Sequence, residues 1–224
     1  MPAIDTARAW YPATDLVHGF DHVLRVYRLA ERLALAEGAD LQVVRAAVLL
    51  HDAQPGHPAS AAPAEGAGDF QAAGDRESHH LASAGFARQV LAAEGWEAEK
   101  IAAVQHCIRA HRFRDAAEQP QTLEAQILFD ADKLDAIGAT GVARAIAYAV
   151  LAGQPAYAPP SGHFLASGCT EPGEPHSAYH EYLFKLSKLK DRLFTPSGRR
   201  LAEARHRLMS ELFAALQDEM SGAA

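Results

Sequence analysis

Four side chains that can bind a metal ion stand out in this sequence, in three separate segments with helical patterns. They are His22, the adjacent pair His51 and Asp52, and Asp132. Such groups are costly in apolar surroundings unless something pairs with them. Imidazole nitrogen and carboxylate oxygen together suit manganese, iron, cobalt, zinc or magnesium, and they leave coordination positions for water and a phosphate. The sequence therefore favours a protein built around a divalent metal.

Composition and charge limit the classes of protein to consider. The chain has 224 residues, of which 49% are hydrophobic and 22% charged, as expected for one globular domain with a substantial core. The net charge of -7 argues against binding to a nucleic-acid polymer or an anionic membrane. There is no apolar run of membrane-spanning length and no secretory signal pattern at Met1, and the distant Cys107 and Cys169 suggest a reducing compartment. We expect a cytoplasmic protein.

The patterns along the first part of the chain predict helices. Apolar residues recur at intervals of three and four from Phe20 to Glu37, and Gly38 follows as a stop signal. Asp40 can cap a second helix, whose run 46–50 is apolar on every side and should be central and buried. His22 lies near the start of the first helix, and His51 and Asp52 close the second.

Two stretches lack any periodic pattern and predict irregular loops. The first, at about 53–76, is rich in Ala, Gly and Pro and follows the histidine–aspartate pair; the second, at about 153–176, contains five prolines. Between them, helical patterns run from about Glu77 to Gly95 and again after Trp96.

The later helices are also marked by local signals. Thr122 can cap a long helix with an inward stripe formed by Ile127, Ala131, Leu134 and Ile137. Gly138 and Gly141 would allow a neighbouring backbone or a ligand to approach closely. Two helices are expected at the end, from about Ser177 to Leu193 and from Pro196 to Met220 with Thr195 as the cap. The fold class is all-α.

The order His, His-Asp, Asp on successive helices resembles the HD-domain superfamily of metal-dependent phosphohydrolases. Further segments resemble the small bacterial single-domain HD hydrolases of the YpgQ and YedJ type: HGFDHVLRV at 18–26, LLHD at 49–52, HCIRAHRF at 106–113, DADKLDAIG at 130–138 and KLSKLK at 185–190. The likeness covers about 18–213. It implies an HD-domain helical bundle, with residues 1–224 forming one domain.

The resemblance implies a mononuclear site whose protein ligands are His22, His51, Asp52 and Asp132. Asp130 is the alternative to Asp132. Residues two positions apart on a helix point about 200° away from each other. Asp130 and Asp132 therefore cannot both face one ion without distortion. Asp130 is expected instead to orient a ligand histidine or to cap a polar network.

The chemistry implied is attack of metal-bound water or hydroxide on phosphorus, with Asp52 as both ligand and catalytic group. Positive side chains must then surround the phosphoryl oxygens. The candidates are Lys133, as a catalytic group, and Arg25, Lys185 and Lys188, as substrate-binding groups. His18, His106 and His111 match the family pattern and are predicted to bind substrate, with proton transfer or a second metal as alternatives. Glu77, after the first irregular stretch, is the candidate general acid for the leaving group, and the segment 53–56 departs from the family pattern in carrying no ionisable side chain.

The predicted function is hydrolysis of a phosphoester or phosphoanhydride bond in a small phosphorylated molecule, most plausibly a nucleotide, with one divalent ion. Resemblance to the YpgQ type implies pyrophosphohydrolysis of nucleoside triphosphates with Mn²⁺ favoured over Mg²⁺, Co²⁺, Ni²⁺, Fe²⁺ or Zn²⁺. One alternative is a di-iron oxygenase, which would need His79, His80, His106 or His111 to complete a second site. The other is a non-catalytic nucleotide sensor. The chain could be a monomer or a homodimer.

Overall fold

The computed structural model describes residues 1–11, 19–53, 79–112 and 118–223, and in these ranges the chain is helical with no strand. The prediction of an all-α fold is confirmed. The α-helices of the described ranges are α1 (Ile4–Arg8), α2 (Phe20–Glu37), α3 (Leu41–Leu50), α4 (His79–Ala93), α5 (Ala98–Ala110), α6 (Leu123–Asp135), α7 (Gly138–Leu151), α8 (Gly162–Ser167), α9 (Ala178–Phe184) and α10 (Pro196–Ser221). A 3₁₀ helix spans Leu186–Arg192.

The chain forms two compact units. The first unit comprises residues 1–132 and 194–198, and the second comprises 133–193 and 199–224. The single HD domain over residues 1–224 stays a prediction. Within the described residues no single helix has both the length and the apolar composition to cross a membrane, although α6 and α7 together, bent by 63°, pass that test.

In the first unit, α2 and α3 end and begin at the residues that the sequence indicates. Gly38 adopts the left-handed conformation with φ of 78° that glycine accepts readily, and it ends α2. The Asp40 carboxylate then accepts hydrogen bonds from the backbone N–H groups of Gln42 (2.8 Å) and Val43 (3.3 Å). These two signals fix the turn that joins the helices.

Helix α3 is the centre of the first unit. Its residues 46–50 are fully buried, and it packs against α2, α4 and α5. A helix that is apolar on every side gains the most by contacting neighbours on every side. The prediction of a central buried helix is confirmed, and the end of α3 is the point from which His51 and Asp52 project.

The start of α6 and the turn after it also follow the sequence signals. The Thr122 hydroxyl accepts a hydrogen bond from the Ala125 backbone (3.2 Å), and the predicted inward stripe is buried. The helix ends at Asp135, so Ile137 lies beyond it as the N-cap of α7. A Cβ on Gly141 would lie 2.3 Å from the Ala136 carbonyl oxygen, so only glycine fits there.

The stretch predicted to be irregular at about 153–176 contains the short helix α8, and in that respect the prediction was wrong. Glu174 ties the segment together. Its carboxylate accepts hydrogen bonds from Ser161 N (2.6 Å), Ser161 Oγ (2.8 Å), Glu171 N (2.7 Å) and His180 Nε2 (3.1 Å). One carboxylate with four donors can order a loop that lacks an apolar pattern.

The helix predicted from Ser177 to Leu193 is instead broken at Lys185, where φ is -129° and ψ is -56°. The 3₁₀ helix that follows places Leu186 and Leu189 on one face, and both side chains are buried. Residues three apart eclipse one another in a 3₁₀ helix but not in an α-helix. In the 3₁₀ helix the two buried leucines therefore lie directly above one another, an alignment that a continued α-helix would not give. Helix α10 begins at Pro196, as predicted, with Thr195 Oγ1 accepting from Gly198 N (3.0 Å).

Candidate metal centre

The candidate metal-binding side chains of the first unit lie at or near the ends of helices. His22 is the third residue of α2, His51 is the C-cap of α3 and Asp52 follows it. Asp132 lies near the end of α6. Two further histidines join them in the first unit: His79 begins α4 and His111 is the C-cap of α5.

A first group consists of His22, His51 and Asp52, whose ligand atoms all lie within 4.8 Å of one another. His51 Nε2 is 3.4 Å from Asp52 Oδ2. Asp132 Oδ1 lies 3.4 Å from His22 Nε2, beside this group. Ligand atoms that share one ion at bond lengths of about 2.1 Å lie at most roughly 4.2 Å apart. The group therefore needs only a small contraction to hold an ion.

A second group consists of Asp52, His79 and His111, again with ligand atoms within 4.8 Å. Asp52 Oδ1 is 3.3 Å from His79 Nε2 and 3.6 Å from His111 Nε2. Asp52 belongs to both groups, with Oδ2 toward His51 and Oδ1 toward His79 and His111. A carboxylate in this position can contribute one oxygen to each of two adjacent ions.

Two of the histidines are oriented in the same way at the ends of their helices. His51 Nδ1 donates to the Val48 carbonyl (2.7 Å), and His111 Nδ1 donates to the Ile108 carbonyl. Each bond satisfies a carbonyl that the helix end leaves without a partner. It also places the ring proton on Nδ1, so that the lone pair of Nε2 is directed toward Asp52. The caps of α3 and α5 thus prepare both rings as ligands.

The electrostatics of the site favour a cation. Burial lowers the pKa of His51, which keeps the imidazole neutral as a metal ligand must be. Burial alone would raise the pKa of Asp52, but the three histidines around its carboxylate, His51, His111 and His79, hold it well below its usual value. The carboxyl-terminal ends of α3 and α5, which carry partial negative charge, both meet at the site.

Two buried atoms test whether the site fits a metal. His51 Nε2 and Asp52 Oδ1 lie out of contact with solvent and have no hydrogen-bond partner among the described residues. Leaving a buried polar atom unsatisfied costs about 1–3 kcal/mol, and more for a charged group. An ion bound between them would satisfy both atoms. The donor set of imidazoles and carboxylates therefore fits a divalent cation.

Asp130 and Asp132 have different surroundings. The fully buried Asp130 carboxylate accepts hydrogen bonds from Phe194 N (2.9 Å), Thr195 N (2.8 Å) and Thr195 Oγ1 (2.7 Å). It thus caps the polar network that precedes α10. Asp132 lies instead beside His22, as the resemblance implies.

The remaining residues predicted to bind substrate or to take part in catalysis are spread over both units. Arg25 is half-buried on α2, one turn after His22, and Lys133 follows Asp132 on α6 and is only 8% exposed. In the second unit, Lys185 pairs with Glu181 (2.9 Å), while the Lys188 ammonium lies over the Phe184 ring at 5.5 Å. His18 and Glu77 lie outside the described residues.

His106 belongs to neither candidate metal group. Its Nδ1 contacts Glu118 Oε1 (2.8 Å), which also binds Arg109, and its Nε2 accepts from Gln121 N (3.1 Å). Both ring nitrogens therefore join α5 to the segment 118–121. These contacts favour a structural role over the predicted substrate contact.

From the sequence, His79 was only one of four histidines that could complete a second metal site; in the structure it lies in the second candidate group. It lies next to a second histidine at the edge of an aperiodic stretch, a pattern that does not say which ring faces inward. His111, predicted to bind substrate with a second metal as an alternative, lies in the second candidate metal group. The family pattern indicated that His111 mattered but not that it lies against Asp52.

Comparison with known proteins identifies the family of this chain. The HD domain family model matches residues 19–137, just over half of the chain. The chain therefore belongs to the HD-domain family, and the resemblance inferred from its motifs is confirmed.

Individual relatives are similar to this chain over most of its length. YpgQ of Bacillus subtilis (strain 168) is 32% identical over 208 residues, which are 92% of this chain and 85% of YpgQ. A crystal structure of YpgQ in complex with ADP has a TM-score of 0.70 at 28% identity and covers 99% of this chain and 100% of that one. A Lactobacillus plantarum protein has a TM-score of 0.69 at 30% identity, covering 98% and 95%. A predicted HD superfamily hydrolase from an uncultured Thermotogales bacterium has a TM-score of 0.62 at 25% identity, covering 97% and 90%. These similarities support the assignment of this chain to the hydrolases.

Proposed function

We propose that this HD-superfamily protein hydrolyses a phosphoester or phosphoanhydride bond in a small phosphorylated molecule, with a nucleotide as the substrate class. The observation that carries the proposal is the buried pair of unsatisfied ligand atoms on His51 and Asp52, with His22 within 4.8 Å. A bound divalent cation would supply the charge that polarises a phosphoryl oxygen and makes water acidic enough to react near pH 7.

The residues around the ion have distinct tasks in this proposal. His22, His51, Asp52 and Asp132 hold the ion. The hydrogen bond from His51 to the Val48 carbonyl keeps that ring fixed while substrate binds and leaves. Two carboxylates nearly neutralise a divalent ion, so the negative charge of a phosphate must be met by other cations.

Arg25 and Lys133 are the proposed partners of the phosphate oxygens. Arg25 lies on the same helix as His22, one turn further along, and Lys133 directly follows Asp132. A guanidinium can bind two phosphate oxygens at once, and an ammonium acts as a point charge. Lys185 and Lys188 stay predicted substrate contacts of the second unit.

The nucleotide class is supported by YpgQ, which has been crystallised in complex with ADP. At 32% identity over 92% of this chain, a shared ligand class is a reasonable inference. We propose Mn²⁺ as the preferred ion, because mixed imidazole and carboxylate ligands suit it.

A phosphate-release screen tests the proposal. Nucleoside mono-, di- and triphosphates would be incubated with the chain and Mn²⁺, Mg²⁺, Co²⁺ or Ni²⁺, and both phosphate and pyrophosphate would be measured. Asp52→Asn should abolish turnover, because it removes the charge shared by both ligand groups. Asp40→Asn is a matched control, since asparagine also caps helices and Asp40 lies at the other end of α3. Equal turnover by the wild type and Asp52→Asn, or no turnover of any nucleotide, would refute the proposal.

The second ligand group favours one other candidate, a two-metal centre of the oxygenase type. Asp52, His79 and His111 could hold a second ion, with Asp52 shared. Elemental analysis after expression in iron-rich medium would distinguish the candidates. Two irons per chain with a visible absorption band that His79→Ala removes would favour the oxygenase; turnover of a nucleotide with one bound ion would favour the hydrolase.

A further inference from the structure

The last turn of α3 determines where His51 and Asp52 point. The helix ends there, so its last carbonyl groups need partners from outside the helical pattern. His51 Nδ1 donates to Val48 O (2.7 Å), and Ala53 N donates to Leu50 O (3.3 Å). Both of these donors belong to the turn itself. The carbonyl between them, on Leu49, takes its partner from a distant part of the chain.

That partner is Tyr11, whose hydroxyl donates to Leu49 O at 3.0 Å across 38 positions of sequence. The Tyr11 side chain is 8% exposed, so little water competes for this bond. Its hydroxyl also lies close to Asp52. Burial raises the pKa of Tyr11 well above its usual value, the negative charge of Asp52 raises it further, and the backbone N–H of Asp52 lowers it. Through the Leu49 carbonyl the hydroxyl contacts the helix end that carries the ligand pair.

The ring of Tyr11 contacts a second ligand-bearing helix. It packs against Phe20 with a centroid distance of 5.5 Å, and Phe20 begins α2 two residues before His22. The Arg8 guanidinium lies over the same Phe20 ring at 4.6 Å. Residues 1–11 precede the part of the chain that matches the HD domain family model. A segment outside that match therefore braces both helices that supply the first ligand group.

We propose that Tyr11 is a positioning residue of the metal centre, which sets the orientation of His51 and Asp52 through its hydrogen bond to the Leu49 carbonyl. The inference rests on the proposed metal-dependent function and adds a residue to it. Tyr11 does not contact the ion. It restricts the rotation of the last peptide groups of α3, so that the two ligand atoms keep one spacing.

Tyr11→Phe tests this role, because it removes the hydroxyl and keeps the ring that packs on Phe20. Tyr27→Phe is the matched control: Tyr27 lies on α2, is also 8% exposed and has no described contact with the end of α3. Co²⁺ would be titrated into the wild type and both variants, following the visible absorption spectrum, which reports the geometry of the ligands. Thermal unfolding without metal would be recorded for each protein.

We expect Tyr11→Phe to bind Co²⁺ roughly tenfold more weakly, with a shifted or weakened absorption band, as when a partner that orients a ligand is lost. Tyr27→Phe should keep the affinity within about twofold and leave the spectrum unchanged. Unchanged affinity and spectrum in Tyr11→Phe would overturn the inference while leaving the proposed function intact, and so would an equal loss in both variants. A wild-type chain that bound no Co²⁺ would overturn the metal centre itself and the inference with it.

Discussion

The neighbouring acidic residues Asp130 and Asp132 allow two roles to be separated by the same substitution. Asp130→Asn should destabilise the protein without metal. Its buried carboxylate accepts three hydrogen bonds, and the Thr195 hydroxyl that donates one of them also accepts from Gly198 N, which fixes its orientation. An asparagine amide keeps one acceptor oxygen. In place of the other oxygen it has an NH₂ group, which is a donor and would face another donor.

The expected magnitude follows from these contacts. Hydrogen bonds to charged groups contribute about 1.5–3 kcal/mol each, so losing one or two of them should lower the free energy of unfolding by about 1.5–6 kcal/mol. For a chain of this size that corresponds to a fall in Tm of roughly 3–24 °C. Asp132→Asn should cost less than Asp130→Asn without metal, because the Asp132 side chain is 17% exposed whereas Asp130 is fully buried. It should weaken Mn²⁺ binding by more than about tenfold.

Urea unfolding in EDTA, followed by circular dichroism, would measure the first effect, and calorimetric titration with Mn²⁺ would measure the second. Asp130→Asn should be the less stable variant in the first assay, and Asp132→Asn should be the weaker Mn²⁺ binder in the second. If Asp132→Asn lost stability as Asp130→Asn is expected to, or if Asp130→Asn weakened Mn²⁺ binding with its stability unchanged, the assignment of the two residues would be wrong.

Three further predictions concern the fold and the ion. Gly141→Ala should lower the free energy of unfolding by about 3 kcal/mol or more, because the added Cβ meets the Ala136 carbonyl. Gly85→Ala, in open space on α4, should raise the free energy of unfolding by about 0.5–1 kcal/mol. Thermal unfolding measures both effects. Burial raises the pKa of Glu174, but its hydrogen bonds with Glu171, Ser161 and His180 lower it to about 2, from 4.5 in the unfolded chain. The stabilisation by this group is therefore complete above pH 4.5 and lost as the pH falls toward 2, so the difference in Tm between the wild type and Glu174→Gln should shrink over that range. Adding Mn²⁺ to the metal-free protein should raise Tm progressively with its concentration, and Asp52→Asn should abolish that rise.

Features that depend on neighbouring residues could be predicted from the sequence. The end of α2 at Gly38 and the start of α3 at Asp40 each follow from a local conformational preference or a short-range hydrogen bond. The burial of α3 follows from its composition, because a helix without a polar face must be covered. Thr195 and Pro196 indicated the start of α10 in the same way.

Features that depend on contacts between residues distant in the sequence could not be predicted from it. The break at Lys185 accompanies the alignment of the buried Leu186 and Leu189 in a 3₁₀ helix, but their three-residue spacing in the sequence fits an α-helix equally well. The helix within 153–176 is ordered by Glu174, one acidic residue among many in the sequence. His79 and Tyr11 carry no motif, and their proximity to Asp52 exists only once α1, α3 and α4 have packed.

The most direct test of the proposed centre is the position of the ion. A crystal of the wild-type chain grown with Mn²⁺ would be measured at the manganese absorption edge, where anomalous scattering locates manganese alone. We predict a peak roughly 2.2 Å from a ligand atom of each of His22, His51 and Asp52. A map without a peak at these side chains in excess Mn²⁺, or with its strongest peak elsewhere on the chain, would contradict the account.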